Sequence, residues 1–177
     1  RATMTIPIEG DGEAARVRWA RRMTFPGLRD GESLTRSMEM PPRGDILARD
    51  GTAIARGSDR SSPVPQLAAQ VRGSLGPALP EDRAALRRLG VPADAQVGVN
   101  GLERILNAEL VGRPGGTLRA GDRVLRKVDP VKAQPVRTSI SLPVVKAAVE
   151  AQSNAPSQTG SVVINSRTGE ILAFQGI

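Results

Sequence analysis

The chain has 177 residues, 39% hydrophobic and 24% charged, with no cysteine and no histidine. That length accommodates one or two domains with an apolar core, and the missing residue types exclude a Cys/His zinc site, a disulfide, a thiol nucleophile and a Ser-His-Asp triad. The net charge is +7, but the cations are dispersed and the only rings are Trp19, Phe25 and Phe174, so no nucleic-acid partner is expected.

Residues 3–8 and 15–19 alternate apolar with polar, the period of a half-buried strand. Gly10, Asp11 and Gly12 between them supply turn chemistry, so an antiparallel hairpin is predicted. Phe25-Pro26-Gly27 ends that pattern. A second hairpin is predicted where Ile46-Leu47 and Ile54-Ala55 flank Asp50-Gly51, a pair whose two positions both accept positive φ. Residues 57–65 form a polar, Pro-rich loop.

Four helices follow from start and stop signals. Residues 65–72 open on a proline, place Leu67 and Val71 on one face and exit at Gly73. Residues 81–89 have Glu81 and Asp82 in the first turn and Arg87 and Arg88 in the last, which suits the helix dipole. Its Glu81/Arg88 face is read as a solvated surface. Residues 101–111 begin with Asn100 and Glu103 at capping-box spacing, and residues 143–152 make the fourth. Alternation at 124–128 and again at 136–142 predicts strands on either side of Asp129-Pro130. Residues 160–165 and 170–174 predict a closing hairpin. The expected class is α+β: antiparallel hairpins with short helices, more strand than helix, in an elongated domain.

Several stretches, taken in order, resemble the N-terminal region of class B penicillin-binding proteins. Arg43-Gly44-Asp45-Ile46-Leu47-Ala48-Arg49-Asp50-Gly51 with Ile54-Ala55 is similar to R-G-x-I-x-D-R-x-G-x-x-L-A, Ala48 standing for the family's Asp. Arg60-Ser61-Ser62-Pro63 resembles R-x-Y-P, with Ser62 for Tyr, and Gly73 to Gly76 falls where the family has a G-x-x-G segment. Gly98-Val99-Asn100-Gly101-Leu102-Glu103 resembles G-x-x-G-L-E, and Leu110-Val111-Gly112-Arg113-Pro114-Gly115 resembles L-x-G-x-P-G. Thr138-Ser139-Ile140-Ser141 stands where the family enters its transpeptidase domain, with Ser141 and Val145 for the customary Asp and Gln. The last hairpin resembles the first of that domain. Val17-Arg18-Trp19 and Phe25 to Leu28 resemble the closing strands of a nuclear transport factor two-like domain.

The resemblance implies three segments: 1–41 as the end of the transport-factor-like domain, 42–138 as the pedestal, or dimerisation, domain, and 139–177 as the first helix and hairpin of a truncated transpeptidase domain. Its motif residues are Arg43, Gly44, Arg49, Gly51, Arg60, Gly101, Glu103, Gly112, Pro114 and Gly115. Glu103 either docks its helix on the arginine-bearing hairpin or closes a capping box with Asn100. The glycines match neither G-x-x-x-x-G-K-[ST] nor G-x-G-x-x-G and are read as turn and helix-end residues. No metal-binding cluster and no cofactor are expected.

Transpeptidases of this family use S-x-x-K, S-x-N and K-T-G. None of the three occurs in this chain, and the resemblance places the nucleophile beyond its last hairpin. No acyl transfer by the chain itself is expected. The chain opens and closes within strand patterns, so it reads as part of a longer protein, anchored to the membrane through a segment not included here. The implied parent is a serine D,D-transpeptidase of the cell envelope that meets peptidoglycan precursors only through its catalytic domain. Other wall-synthesis proteins, a membrane glycosyltransferase among them, are the implied partners. The alternative is a stand-alone envelope scaffold without a catalytic half.

Overall fold

The computed structural model describes residues 4–153 and 160–175, so Thr3, at the head of the first expected strand, lies outside it. In chain order the strands are β1 (Ile8–Glu9), β2 (Arg16–Val17), β3 (Leu34–Glu39), β4 (Ile46–Leu47), β5 (Ala53–Ala55), β6 (Leu75–Pro77) and β7 (Gln96–Gly98). They continue with β8 (Gly115–Ala120), β9 (Arg123–Val128), β10 (Val136–Arg137), β11 (Ser161–Ile164) and β12 (Ile171–Gln175). The helices are α1 (Pro65–Arg72), α2 (Arg83–Arg88), α3 (Gly101–Ile105), α4 (Asn107–Leu110) and α5 (Leu142–Gln152). This is an α+β chain of antiparallel hairpins and short helices.

Two compact units divide it: Arg1–Glu39 with Gly115–Asp129, and Met40–Pro114 with Pro130–Ile177. Residues 115–129 supply two strands, β8 and β9, to the first unit.

In the first unit β1 pairs antiparallel with β2, Ile8 opposite Val17. The hairpin is shorter than its alternating pattern suggested. Pro7 has no N–H to donate, so the ladder continues only through the Arg18 N–H, which donates to the Pro7 carbonyl at 3.1 Å. A three-stranded antiparallel sheet follows the order β3-β8-β9. Leu34, Arg36 and Met38 alternate in β3, yet all six of its residues are exposed. Weak burial gave β3 little sequence signal.

In the second unit β4 and β5 form the predicted hairpin, and β10 joins β4 in parallel, Val136 beside Ile46. β9 and β10 therefore do not pair across Asp129-Pro130. Strand β10 is two residues long. The Thr138 N–H still donates to the Leu47 carbonyl at 2.9 Å, but the Ser141 N–H donates to the Leu172 carbonyl of β12 at 2.8 Å. Leu142 then opens α5, with Pro143 in its first turn. The predicted turn also differs. Of its two central residues only Gly51 has positive φ, at 90°, while the Asp50 carboxylate accepts the Thr52 N–H at 2.9 Å. That bond leads the influences holding the Asp50 carboxyl below its usual range. The helix predicted over 101–111 breaks at Leu106, where φ is −100° and ψ 18°. The helix predicted over 81–89 begins at Arg83, leaving Glu81 and Asp82 to accept from Arg104.

The main core joins these elements. Ile46, Ile54, Val71, Leu110, Ile140 and Val145 are buried together with Ala173 of β12. A smaller core gathers Leu86, Val91, Val97 and Val111. Both belong to the second unit.

Candidate functional site

Glu103 sits on the first turn of α3, and 1% of its side chain is exposed. Its carboxylate meets two arginines that are remote in sequence. Arg60 Nε donates to Oε1 at 2.6 Å, and Arg43 Nε donates to Oε2 at 3.1 Å. A second Arg43 nitrogen, Nη2, donates at 3.1 Å both to the Glu103 carbonyl and to Asn107 Oδ1. Arg60 Nη1 donates to the carbonyl of Gly44 at 2.9 Å. The cluster thus ties β4's approach, the loop after β5 and α3 through a single acid.

Two positive charges share one negative charge in a dry environment. Burial pushes the Arg43 guanidinium below its usual pKa; attraction to Glu103 opposes that shift, and the nearby charge of Arg60 adds to it. Arg43 Nη1 and Arg60 Nη2 are buried with no hydrogen-bond partner among the described residues. Arg60 also holds φ at 55°, unusual for a residue with a Cβ. Such costs persist only where the surrounding structure fixes the residue. Here Arg72 Nη1 does so by donating to the Arg60 carbonyl at 2.7 Å.

Glu103 is not part of a capping box: no side chain caps α3. Asn100 Oδ1 instead accepts the Ser74 N–H at 2.7 Å, holding the start of β6. The docking arrangement is the one realised. Asn107, which the sequence reading did not single out, braces it from below. Its amide nitrogen donates to the Gly98 carbonyl at 2.8 Å, and its Oδ1 accepts the Gly98 N–H at 2.9 Å. Glu103 and Arg104, one turn before it, are polar too, so no interruption of an apolar stripe marked it in the sequence.

Close approach explains the glycines here. A Cβ on Gly98 would run into the Glu103 backbone, and Gly101, at φ 56°, lies against Gly73 at the exit of α1. The Gly44 N–H donates to the Leu110 carbonyl at 2.8 Å. The remaining motif residues are not in the cluster. Gly51 is in the β4–β5 turn, and exposed Arg49 lies 3.9 Å from Glu170. Gly112 abuts residues 131–133, Pro114 lies beside Gly90, and Gly115 opens β8. Ser62, in place of the family's Tyr, donates to the Ala53 carbonyl at 2.7 Å and so fastens its loop to β5.

The charged groups of this site are buried against one another, and no group of acidic residues that could hold a metal occurs among the described residues. No helix among them is long and apolar enough to cross a membrane.

No family model matches the chain, and no curated protein matches it. Solved structures do. Pseudomonas aeruginosa PBP2 in complex with WCK 5153 is similar at 25% identity and TM-score 0.56, with 79% of this chain and 30% of that one covered. Helicobacter pylori PBP2, a penicillin-binding protein solved in complex with MreC, is similar at 16% identity and TM-score 0.59, over 80% of this chain and 42% of that one. A putative peptidoglycan glycosyltransferase from Atopobium parvulum is similar at 23% identity and TM-score 0.53, over 79% and 31%. The chain therefore spans less than half the length of each of these three structures. The resemblance to penicillin-binding proteins read from the motifs is matched by the fold.

Proposed function

We propose that this chain is a non-catalytic N-terminal part of a penicillin-binding protein, which supports and positions a D,D-transpeptidase domain for peptidoglycan cross-linking. Residues 42–138 act as the pedestal, residues 1–41 close a transport-factor-like domain, and 139–177 begin the transpeptidase domain. The observation that carries this reading is the convergence of three motif residues, Arg43, Arg60 and Glu103, on one buried cluster. A buried ion triad contributes little net stability but specifies one arrangement of the elements it joins, the property a positioning platform needs. The fold likeness to Pseudomonas aeruginosa PBP2 supports the same reading.

The parent protein would sit in the cell envelope, outside the cytoplasm, held by a membrane anchor. Its partners would be other wall-synthesis proteins; the Helicobacter pylori relative, solved with MreC, supports that choice. A fluorescent penicillin tests the assignment. The purified chain stays unlabelled, and the reading frame downstream of Ile177 encodes S-x-x-K. A labelled chain, or a stop codon at that point, would overturn the proposal, the latter in favour of a stand-alone scaffold.

A further inference from the structure

We infer that the groove beside α2 is a docking site for an acidic, leucine-rich segment of a partner protein. The groove encloses about 420 Å³, within the usual range of ligand pockets. Pro77, Ala78, Leu86, Val91 and Pro92 give it an apolar lining, with Arg83 and Arg87 of α2 beside them. Leu86 and Val91 belong to the smaller core, so the lining is backed by fixed packing and does not depend on a loose loop.

Charge selects the occupant. Arg83 donates through Nε to the Ala78 carbonyl at 3.2 Å, which holds its side chain beside the groove. Its two terminal nitrogens, and the whole Arg87 guanidinium, have no protein partner among the described residues. The acids nearest in sequence do not neutralise them, since Glu81 and Asp82 are both engaged by Arg104. Asp94 follows the last lining residue but does not itself line the groove. An apolar slot flanked by two uncompensated guanidinium groups matches a segment that alternates aliphatic and carboxylate side chains. Arginine forks bind carboxylates in pairs, and the aliphatic groups displace water from the slot.

This inference rests on the proposed function only for the kind of protein that supplies the segment. The surface itself is a property of this chain, so its test is independent of penicillin labelling and of the downstream gene. Backbone amide NMR spectra of the 177-residue chain are recorded with the acetylated, amidated pentapeptide DLELD. Shifts are expected at the amides of Ala78, of residues 83–91 and of Ala93, weakening with added salt. The matched peptide KLKLK produces none. Arg87→Glu weakens the DLELD response about tenfold while leaving the rest of the spectrum in place. Shifts confined to other residues, no response at millimolar peptide, an equal response to KLKLK, or an unaltered response in Arg87→Glu would each overturn the proposal. Inorganic phosphate reproducing the full set of shifts would overturn it too, by showing a simple anion site.

Discussion

Each carboxylate oxygen of Glu103 accepts from a different buried arginine, and no other acid reaches either guanidinium among the described residues. Removing that carboxylate leaves two buried positive charges near one another without compensation. Glu103→Ala is therefore expected to cost about 3–5 kcal/mol, well beyond the ~1 kcal/mol of a lost helix cap. Urea unfolding reads the difference, and a loss of cap size alone would remove the docking role. Glu103→Gln separates charge from shape: it keeps the volume and one acceptor but leaves both guanidinium groups uncompensated, so most of the Glu103→Ala loss should remain. Glu32 offers a second residue-scale test, in the other unit. Its hydrogen bonds from Arg123, with help from the Arg29 N–H, hold its carboxyl at about 2 against 4.5 for an unperturbed glutamate. The unfolded chain takes up that proton first. Its stabilising effect is complete above pH 4.5 and is lost as pH falls through about 2. Stability of the first unit should decline over that window, and Glu32→Gln should flatten the decline; an unchanged slope would rule the pair out as its source.

At the scale of elements, β7 and α3 approach so closely that only hydrogen fits between Gly98 and the Glu103 backbone. Gly98→Ala should push α3 away, pulling Glu103 off its arginines and adding to the ~1–3 kcal/mol usual for overpacking. Urea unfolding checks this, and a loss below 1 kcal/mol would contradict it. The β11–β12 hairpin makes a different expectation. Val162 and Ile164 are 58% and 56% exposed, and Ile171, opposite Ile164, is 44% exposed. An apolar hairpin face of this kind invites self-association. Ile164→Lys should lower concentration-dependent light scattering without shifting the melting temperature; unchanged scattering would mean that the face is not the adhesive surface.

These elements also show what the sequence could disclose. Helix α1 was readable to its ends, because Pro65 and Gly73 bracket a short apolar stripe. The β4–β5 hairpin was readable from Asp50-Gly51, although not its turn geometry, which depends on a carboxylate bond the residue type only permits. Strands β6 and β7 went unread: three residues each, one ending in proline, carry too little periodicity. The parallel pairing of β10 with β4 joins residues some ninety positions apart, and no local pattern encodes such a contact. For the cluster, the motif residues Arg43, Arg60 and Glu103 were visible, but Asn107 was hidden because its partners are backbone groups of Gly98 that only folding brings near.

For the whole molecule, the division into two units has a thermodynamic consequence. Each unit has its own hydrogen-bonded sheet, and Glu32 and Glu103 fall in different ones. Calorimetry should resolve two transitions, with Glu32→Gln moving one and Glu103→Ala the other. A single transition that both variants shift equally would show one cooperative body instead. Within the second unit one carboxylate, that of Glu103, couples the approach to the β4–β5 hairpin and the loop after it to α3. Native-state hydrogen exchange measures that coupling most directly. The amides of β4–β5 and of α3 should open at one shared free energy that falls together in Glu103→Gln; opening at two unrelated free energies, with α3 alone responding to the substitution, would contradict it.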